Sequence, residues 1–311
     1  MNVTPAATSP RRSQRLRGQR DTLIGWSLSS PALILLILFL LLPFLMAFVL
    51  AFTDQRLVPN ATIPTRFVGL RNFTRLFVDE TFHRALLNNF IFAAVVVPVQ
   101  TSFALLLASL INQKLRAINL FRTIYFSPVV TTMVVVAIIW TFLYNPGRGF
   151  INAIIQTLSF GHLGPYSWLR DPKLALPAIM VLSIWQGVGF QMVIYLAGLQ
   201  DIPNYLYEAA QIDGANKLQQ FFYVTLPQLR NTTIFVVVTT TILAFKLFTQ
   251  NWVMVQGGPQ NATMTTIIHV YVQGFKQGRI GYASAITVVF FLIVLAISLS
   301  QRVFLTEERS V

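Results

Sequence analysis

The sequence contains no cysteine, which excludes a disulfide, a thiolate metal site and a cysteine nucleophile. Its three histidines, His83, His162 and His269, lie far apart and lack the spacing of metal ligands. No G-x-x-x-x-G-K-[ST] run occurs, so the chain itself is expected to bind no nucleotide. Charge is also scarce. Asp, Glu, Lys and Arg make up 11% of the residues, against about 25% in a typical soluble domain. With 55% hydrophobic residues and a mean hydropathy of +0.63, most of the surface must face something other than water. A polytopic membrane domain follows, rather than one or two soluble ones.

What is present fits that reading. A hydrocarbon core about 30 Å thick needs roughly 20 apolar residues of helix to cross it. Six runs qualify: 27–52, 88–112, 123–144, 174–199, 234–256 and 283–301. Together they take up close to half of the chain, and Lys246 is the one Lys, Arg, Asp or Glu inside them. Barrel strands would need only about 10 residues, alternating apolar and polar. The expectation is therefore an all-α integral membrane fold with six transmembrane helices. The first run far exceeds the signal-peptide core of about 7–15 residues, and no small-x-small site follows it.

The net charge of +13 suggests nucleic acid until the charges are placed. Arg11, Arg12, Arg15, Arg17 and Arg20 directly precede the first span. A basic tail beside a span orients the chain and contacts anionic lipid, so no nucleic-acid partner is expected. With a cytoplasmic tail, six spans return the C-terminus to the cytoplasm. The Lys and Arg bias between the two sides is weak overall, so this orientation rests on the N-terminal cluster and on Lys114, Arg116 and Arg122. On the outer side, 69–87 has apolar residues near helical spacing (Leu70, Phe73, Leu76, Phe77) and reads as one amphipathic helix lying at the interface. The segments 145–173, with Tyr166 and Trp168, and 257–282, which opens on Gly257-Gly258-Pro259, read as punctuated loops. All three could receive an external partner or merely connect spans.

The loop 200–233 is too polar to span and too patterned to be slack. Pro203 suits a first helical turn, residues 205–212 continue it, and Asp213-Gly214 stops it, since Gly accepts the left-handed conformation at a helix C-terminus. A second short helix can run over 216–223, with Leu218, Phe221 and Phe222 as anchors on the membrane domain. Leu226-Pro227 then leads into the next span. The small Ala209 and Ala210 would let a partner backbone approach, with Glu208 and Asp213 at the rim. The pattern fits either a projecting knob for another protein or a connector resting on the bilayer.

The run Glu208-Ala209-Ala210, Asp213-Gly214-Ala215 and Leu226-Pro227 resembles the EAA motif of binding-protein-dependent ABC importer permeases. The segments GLRNFTRLF, FRTIYFSP, YLAGLQDIP, GGPQNAT and GYASAITVV are similar to those of the carbohydrate-type members, the maltose, trehalose and glycerol-3-phosphate permease relatives. The resemblance runs from about Gly69 to the end of the last span. It implies a type I ABC importer (MetI-like) permease fold. It divides the chain into an Arg-rich tail (1–26), a first transmembrane helix with its external loop (27–68), a type-1 transmembrane core (69–304) carrying the coupling loop at 200–233, and a C-terminal tail (305–311). It implies that Glu208, Ala209, Ala210, Asp213 and Gly214 dock in a groove of a cytoplasmic ATPase dimer, which binds ATP and Mg; no cofactor is implied for this chain. It further implies a second permease subunit, usually a different chain, and an extracytoplasmic solute-binding protein that delivers a sugar-like solute to a prokaryotic plasma membrane. No catalytic residue is implied, so the chain is expected not to be an enzyme.

Polar residues inside spans are costly and face a cavity or a neighbouring helix. Lys246, at roughly 3 kcal/mol at the midplane, stands out halfway along the fifth span. Gln250 and Asn251 follow it. Gln186 and Gln191 in the fourth span could add hydrogen bonds, and Trp185 and Tyr195 could stack on sugar rings. These seven are the candidate substrate path, with an interhelical hydrogen bond the alternative for each. An ion-coupled secondary transporter is the competing function. It calls for carboxylates at membrane depth, and the six runs contain none. An intramembrane enzyme would need a nucleophile and base or metal ligands there, and none is evident.

Overall fold

The computed structural model describes residues 11–58, 64–112 and 118–306; Lys114 and Arg116, on which part of the orientation argument rests, lie outside them. The described elements are helical. The chain opens with α1 (Arg11–Leu36), which passes through a π turn (Ile37–Leu41) into α2 (Leu42–Ala51). There follow α3 (Arg71–Leu76), α4 (Glu80–Ile111), α5 (Ile118–Val130), α6 (Met133–Leu143), α7 (Phe150–Leu158) and α8 (Ala175–Gln200). The second half consists of α9 (Asn204–Ile212), α10 (Lys217–Gln220), α11 (Leu226–Gln228), α12 (Arg230–Phe245), α13 (Thr249–Met254), α14 (Thr266–Tyr271) and α15 (Ile280–Thr306).

Among the described residues five helical stretches are long and apolar enough to cross a membrane: Ile24–Ala51, Glu80–Ile111, Ala175–Gln200, Arg230–Met254 and Ile280–Phe304. The run expected as one straight span at 123–144 is instead a pair, Leu120–Val130 and Met133–Leu143, bent by 98°. Pro128 removes a helical donor, and Thr132 is extended (φ −61°, ψ 136°). Contacts at the helix ends show that the pair nevertheless crosses. Leu57 N donates to Gly278 O at 2.9 Å and Gly281 N to Gln55 O at 3.0 Å, so the segments after the first span and before the last share one end of the molecule. The fifth span puts the 200–233 loop at the opposite end. The bent pair must supply the remaining crossing between the second and fourth spans. In agreement, Tyr144 Oη, just beyond α6, donates to Ala178 O near the start of α8 at 2.9 Å.

Lipid supplies little hydrophobic drive between helices, so close approach through small residues matters. On α8, a Cβ at Gly189 would stand 2.2 Å from Tyr125 O, one at Gly187 2.3 Å from Gln100 Nε2, and one at Gly198 2.6 Å from Thr232 Oγ1. These three glycines let α5, α4 and α12 close on α8. Two core clusters form around them, one including Leu107, Met192, Tyr195 and Leu229, the other Phe92, Ile179, Phe245 and Phe290. The first span is peripheral: its apolar window has no buried residue, and α2 packs on α15 through Phe44–Phe291 at 4.9 Å.

Two connecting segments differ from expectation. The single amphipathic helix at 69–87 is not formed. Asp79 interrupts it as the N-cap of α4, accepting from Phe82 N at 3.1 Å, and residues from Glu80 onward belong to the second span. The loop at 145–173 holds α7, whose Asn152 side chain ties Tyr166 N, Tyr166 O and Trp168 Nε1.

Asp79 also closes one end of the fold. Its Oδ2 accepts from Tyr282 Oη at 2.5 Å and from His269 Nε2 at 3.0 Å, and Arg75 lies over the Tyr282 ring at 4.4 Å. The clasp joins the second span, α14 and the last span. Burial raises the Asp79 pKa, but hydrogen bonds from Tyr282 and Phe82 N and the neighbouring His269 outweigh it, leaving the carboxyl below the usual range. Burial holds His269 below the ordinary imidazole value, against the pull of Asp79 and with the help of Arg75. The sign follows. Below about pH 6.5 the unfolded chain takes up a proton that the buried imidazole refuses, so stability falls on acidification; the Asp79 contribution persists to below about pH 3.9. The thermal midpoint of the detergent-solubilised protein is expected to drop between about pH 7.5 and about pH 5.5. His269→Gln, which keeps a donor for Asp79, should lose most of that drop; an unchanged pH slope in the variant would acquit His269.

Candidate functional site

The fifth span is broken at its middle. Helix α12 ends at Phe245, Lys246 caps it, Phe248 has φ −141° and ψ −64°, and α13 starts at Thr249. Such a break is tolerated at membrane depth only where the freed backbone groups find partners within the protein. They find them on the second span and on the segment before α14. Asn89, fully buried, donates from Nδ2 to Phe245 O at 3.1 Å and accepts from Thr266 N at 2.9 Å. Asn88 donates to Met264 O at 2.9 Å and to Asn261 O at 3.2 Å. Thr265 Oγ1 donates to Leu247 O at 2.9 Å.

Beside the break lies a cavity of about 400 Å³. Its polar lining comes from Lys246, Thr249 and Gln250 at the break, Gln186, Gln191 and Ser183 on α8, Gln100 on α4 and Thr240 on α12. Gln250 Nε2 donates to Ser183 Oγ at 3.2 Å, Gln191 Nε2 to Thr240 Oγ1 at 3.1 Å and Gln186 Nε2 to Pro128 O at 3.4 Å. Gln191 is 2% exposed, yet its Oε1 has no hydrogen-bond partner. Lys246 makes no ion pair among the described residues, and it also lines an apolar cavity between α12 and α15. No carboxylate lines the polar cavity.

Of the seven residues expected on the path, the structure brings together Gln186, Gln191, Lys246 and Gln250. Three stand elsewhere. Trp185 is half exposed against Trp140, ring centroids 5.5 Å apart. Tyr195 is buried in the core around Leu107 and Met192. Asn251, fully buried, donates to Thr263 O at 2.5 Å and fixes the turn after α13. Gln100, Ser183, Thr240 and the pair Asn88-Asn89 were not singled out in the sequence, although polar side chains inside an apolar run were the available signal.

The 200–233 loop is at the other end of α8 and α12. Helix α9 finishes in a Schellman arrangement: Ala215 N donates to Ala210 O at 2.8 Å and Gly214 N to Gln211 O at 3.0 Å, with Gly214 at φ +81°, where a glycine fits without strain. Asn216 then opens α10 with a capping box, accepting from Gln219 N at 2.9 Å while Gln219 Oε1 accepts from Asn216 N at 2.8 Å. Glu208, Ala209, Asp213 and Gly214 are exposed and Ala210 half-buried.

The expected hydrophobic anchors are not what holds this knob. Leu218 and Phe222 are 67% and 54% exposed, and Phe221 is only half-buried; α10 continues through a π turn (Phe221–Thr225) into α11, and along this stretch these side chains face outward. The loop is held by other apolar residues, Ile202 and Leu229 in the core with Leu206 and Tyr207 packed on it, and by polar contacts. Buried Gln220 donates to Ala215 O at 2.9 Å, and Tyr207 Oη meets Thr225 Oγ1 at 3.0 Å.

Comparison with known proteins bears on both regions. The sequence profile of the family described as binding-protein-dependent transport system inner membrane component matches residues 80–307. The chain is 36% identical over 288 residues to the probable ABC transporter permease protein YurN of Bacillus subtilis, covering 92% of this chain and 97% of that protein. It is 35% identical to the lactose transport system permease protein LacF of Rhizobium radiobacter, covering 89% and 92% of the two chains. Among solved structures, a bacterial ABC transporter involved in import of the acidic polysaccharide alginate superposes with a TM-score of 0.78 at 23% identity, over 94% of this chain and all of that one.

Removing the Asn89 carboxamide leaves Phe245 O and Thr266 N without partners at membrane depth. Asn89→Ala is expected to cost about 2–4 kcal/mol, near the sum of two unmet buried groups. It should therefore lower the detergent melting midpoint more than Thr239→Ala on the same bundle; equal midpoints would show that the break has other support.

Proposed function

This chain belongs to the binding-protein-dependent transport system inner membrane component family, and from that membership we propose that it forms one permease of an ATP-driven importer for a sugar or sugar-like solute. It is a multi-pass membrane protein and an ABC transporter permease subunit. The cavity beside Lys246 is the solute path. One observation carries the sugar reading: amide and hydroxyl side chains converge on a break in the fifth span, one acceptor there is buried and unpaired, and a polyhydroxy compound supplies the complementary donors and acceptors. The lactose permease relative supports the same class. The ion-coupled alternative finds no carboxylate in the cavity and no support among the relatives.

The surrounding machine follows from the family. The loop carrying Glu208, Ala209, Ala210, Asp213 and Gly214 docks on a cytoplasmic ATPase dimer that binds ATP and Mg. A second permease, a different chain, completes the pathway, and an extracytoplasmic binding protein delivers the solute. This chain has no catalytic role. The tail 1–26, the loop 200–233 and both termini face the cytoplasm of a prokaryotic cell, the first external loop belongs to 27–68, the core occupies 69–304, and 305–311 form the C-terminal tail. The basic helix start at Arg11 supports that orientation.

Two variants separate the two regions. In transport assays with the complete importer, Gly214→Asp, which strains a left-handed residue on the exposed knob, should abolish co-purification of the ATPase and coupled uptake together. Lys246→Ala should preserve assembly and reduce uptake by tenfold or more, about 1.4 kcal/mol of lost transition-state stabilisation. Full uptake by Lys246→Ala would remove Lys246 from the path, and intact coupling in Gly214→Asp would remove the docking assignment.

A further inference from the structure

The end of the molecule opposite the 200–233 loop carries a cavity of about 650 Å³. Arg56, Arg71, Arg75 and Arg279 line it, together with Asp54 and Tyr282. Four guanidinium groups thus face one carboxylate, and among the described residues none of the four has a carboxylate within ion-pairing distance. Asp54 is engaged by the backbone, accepting from Arg66 N at 2.6 Å.

The walls of this cavity are fixed. Asn72 Nδ2 donates to Ala51 O and Thr53 O, both at 2.8 Å, which holds α3 to the end of the first span. The hydrogen bonds Leu57 N to Gly278 O and Gly281 N to Gln55 O hold the first loop to the start of α15. A Cβ at Gly281 would fall 2.0 Å from Thr53 O, so that seam has no slack. Arg75 is set over the Tyr282 ring, whose hydroxyl is held in turn by Asp79. A rigid concave surface with unbalanced guanidinium charge is built for carboxylates, which Arg forks bind in bidentate fashion.

We propose that this arginine cavity receives acidic side chains of the extracytoplasmic binding protein. The proposal rests on the reading of the chain as an importer permease, and it deepens that reading by naming where and by what chemistry the delivery protein engages. The reasons for a protein occupant are on the surface itself. The cavity lies at the end opposite the ATPase loop. It also joins the ends of the first, second and last spans, so an occupant bridges three transmembrane elements at once.

The test titrates the solute-binding protein of this importer against the complete importer in nanodiscs. Arg71→Glu/Arg279→Glu is the main variant, because the ring contact with Tyr282 is made by Arg75 and is kept, and Arg71→Gln/Arg279→Gln is the milder second. Wild type should bind with an affinity that falls about tenfold or more between about 0.05 M and about 0.3 M salt. The charge-reversed pair should bind about tenfold or more weakly with little salt dependence, and the Gln pair should fall between, both with ATPase co-purification intact. Equal affinity and salt slope in wild type and variants overturns the proposal while leaving the importer reading in place. A wild type that binds no binding protein and no ATPase overturns both. If affinity is unchanged and only the stabilisation by phosphatidylglycerol over phosphatidylcholine nanodiscs is lost, the occupant is a lipid headgroup and the proposal fails.

Discussion

The structure depends on how the backbone of the fifth span is satisfied where it breaks. In hydrocarbon a free carbonyl or amide costs several kcal/mol, so a gap between α12 and α13 exists only because other segments meet it. Asn89 does so from both ends of one carboxamide, accepting from Thr266 N and donating to Phe245 O, while Asn88 and Thr265 hold the returning chain. The same bonds that permit the break fasten the second span to the segment ahead of α14. Polar function and helix packing are here one set of contacts. An apolar replacement of the asparagine pair would favour a continuous fifth helix and close the place where Lys246 meets the cavity.

Under the proposed function, the break also marks where movement of the knob would reach the cavity. The exposed knob is the direct connection between α8 and α12. Those two helices, with the break that ends α12, carry most of the polar side chains of the cavity. A force on the knob therefore reaches the cavity walls without an intermediary. The Schellman turn at Gly214, the capping box at Asn216 and the Tyr207–Thr225 contact make the knob stiff, as a lever must be. At the far end the Asp79 clasp and the seam at Gly281 are equally stiff. Between these two ends, Gly187, Gly189 and Gly198 bring the neighbouring helices into close contact with α8.

What could be read from the sequence followed the range of each interaction. The apolar runs are set by local composition and bilayer thickness, so the spans were visible, with most ends off by a few residues and the second span starting at Glu80 rather than 88. The knob was visible because Pro203 and Gly214 act on their own neighbours. The break at Lys246 was not. Phe245-Lys246-Leu247-Phe248 holds neither Gly nor Pro, and the group that satisfies Phe245 O is 156 residues away. The clasp likewise joins positions 190 and 203 residues apart. The bend at Thr132 had a local cause in Pro128, but the apolar run around it outweighed one proline. The anchors of the knob were misassigned because hydrophobicity alone does not say which way a short helical stretch with a π turn faces. Of the path residues, the four glutamine and lysine positions at the cavity share the registers of α8 and the break, whereas Trp185, Tyr195 and Asn251 lie on other faces of the same elements.

The distribution of charge then acquires a physical explanation. Basic residues normally mark the cytoplasmic side, yet in the proposed orientation the external loops together, the first of them richest in arginine, nearly cancel that bias. In the proposed reading the external arginines have a second task, to line a rigid cavity that receives carboxylates. The topological signal is then left to the segment where nothing competes with it, the basic start of α1. A weak overall bias is thus what two requirements on the same residue type produce when they act at opposite faces of one bilayer. In the proposed reading, part of the net charge that first suggested nucleic acid is an orienting cluster at one face and part is a docking cluster at the other.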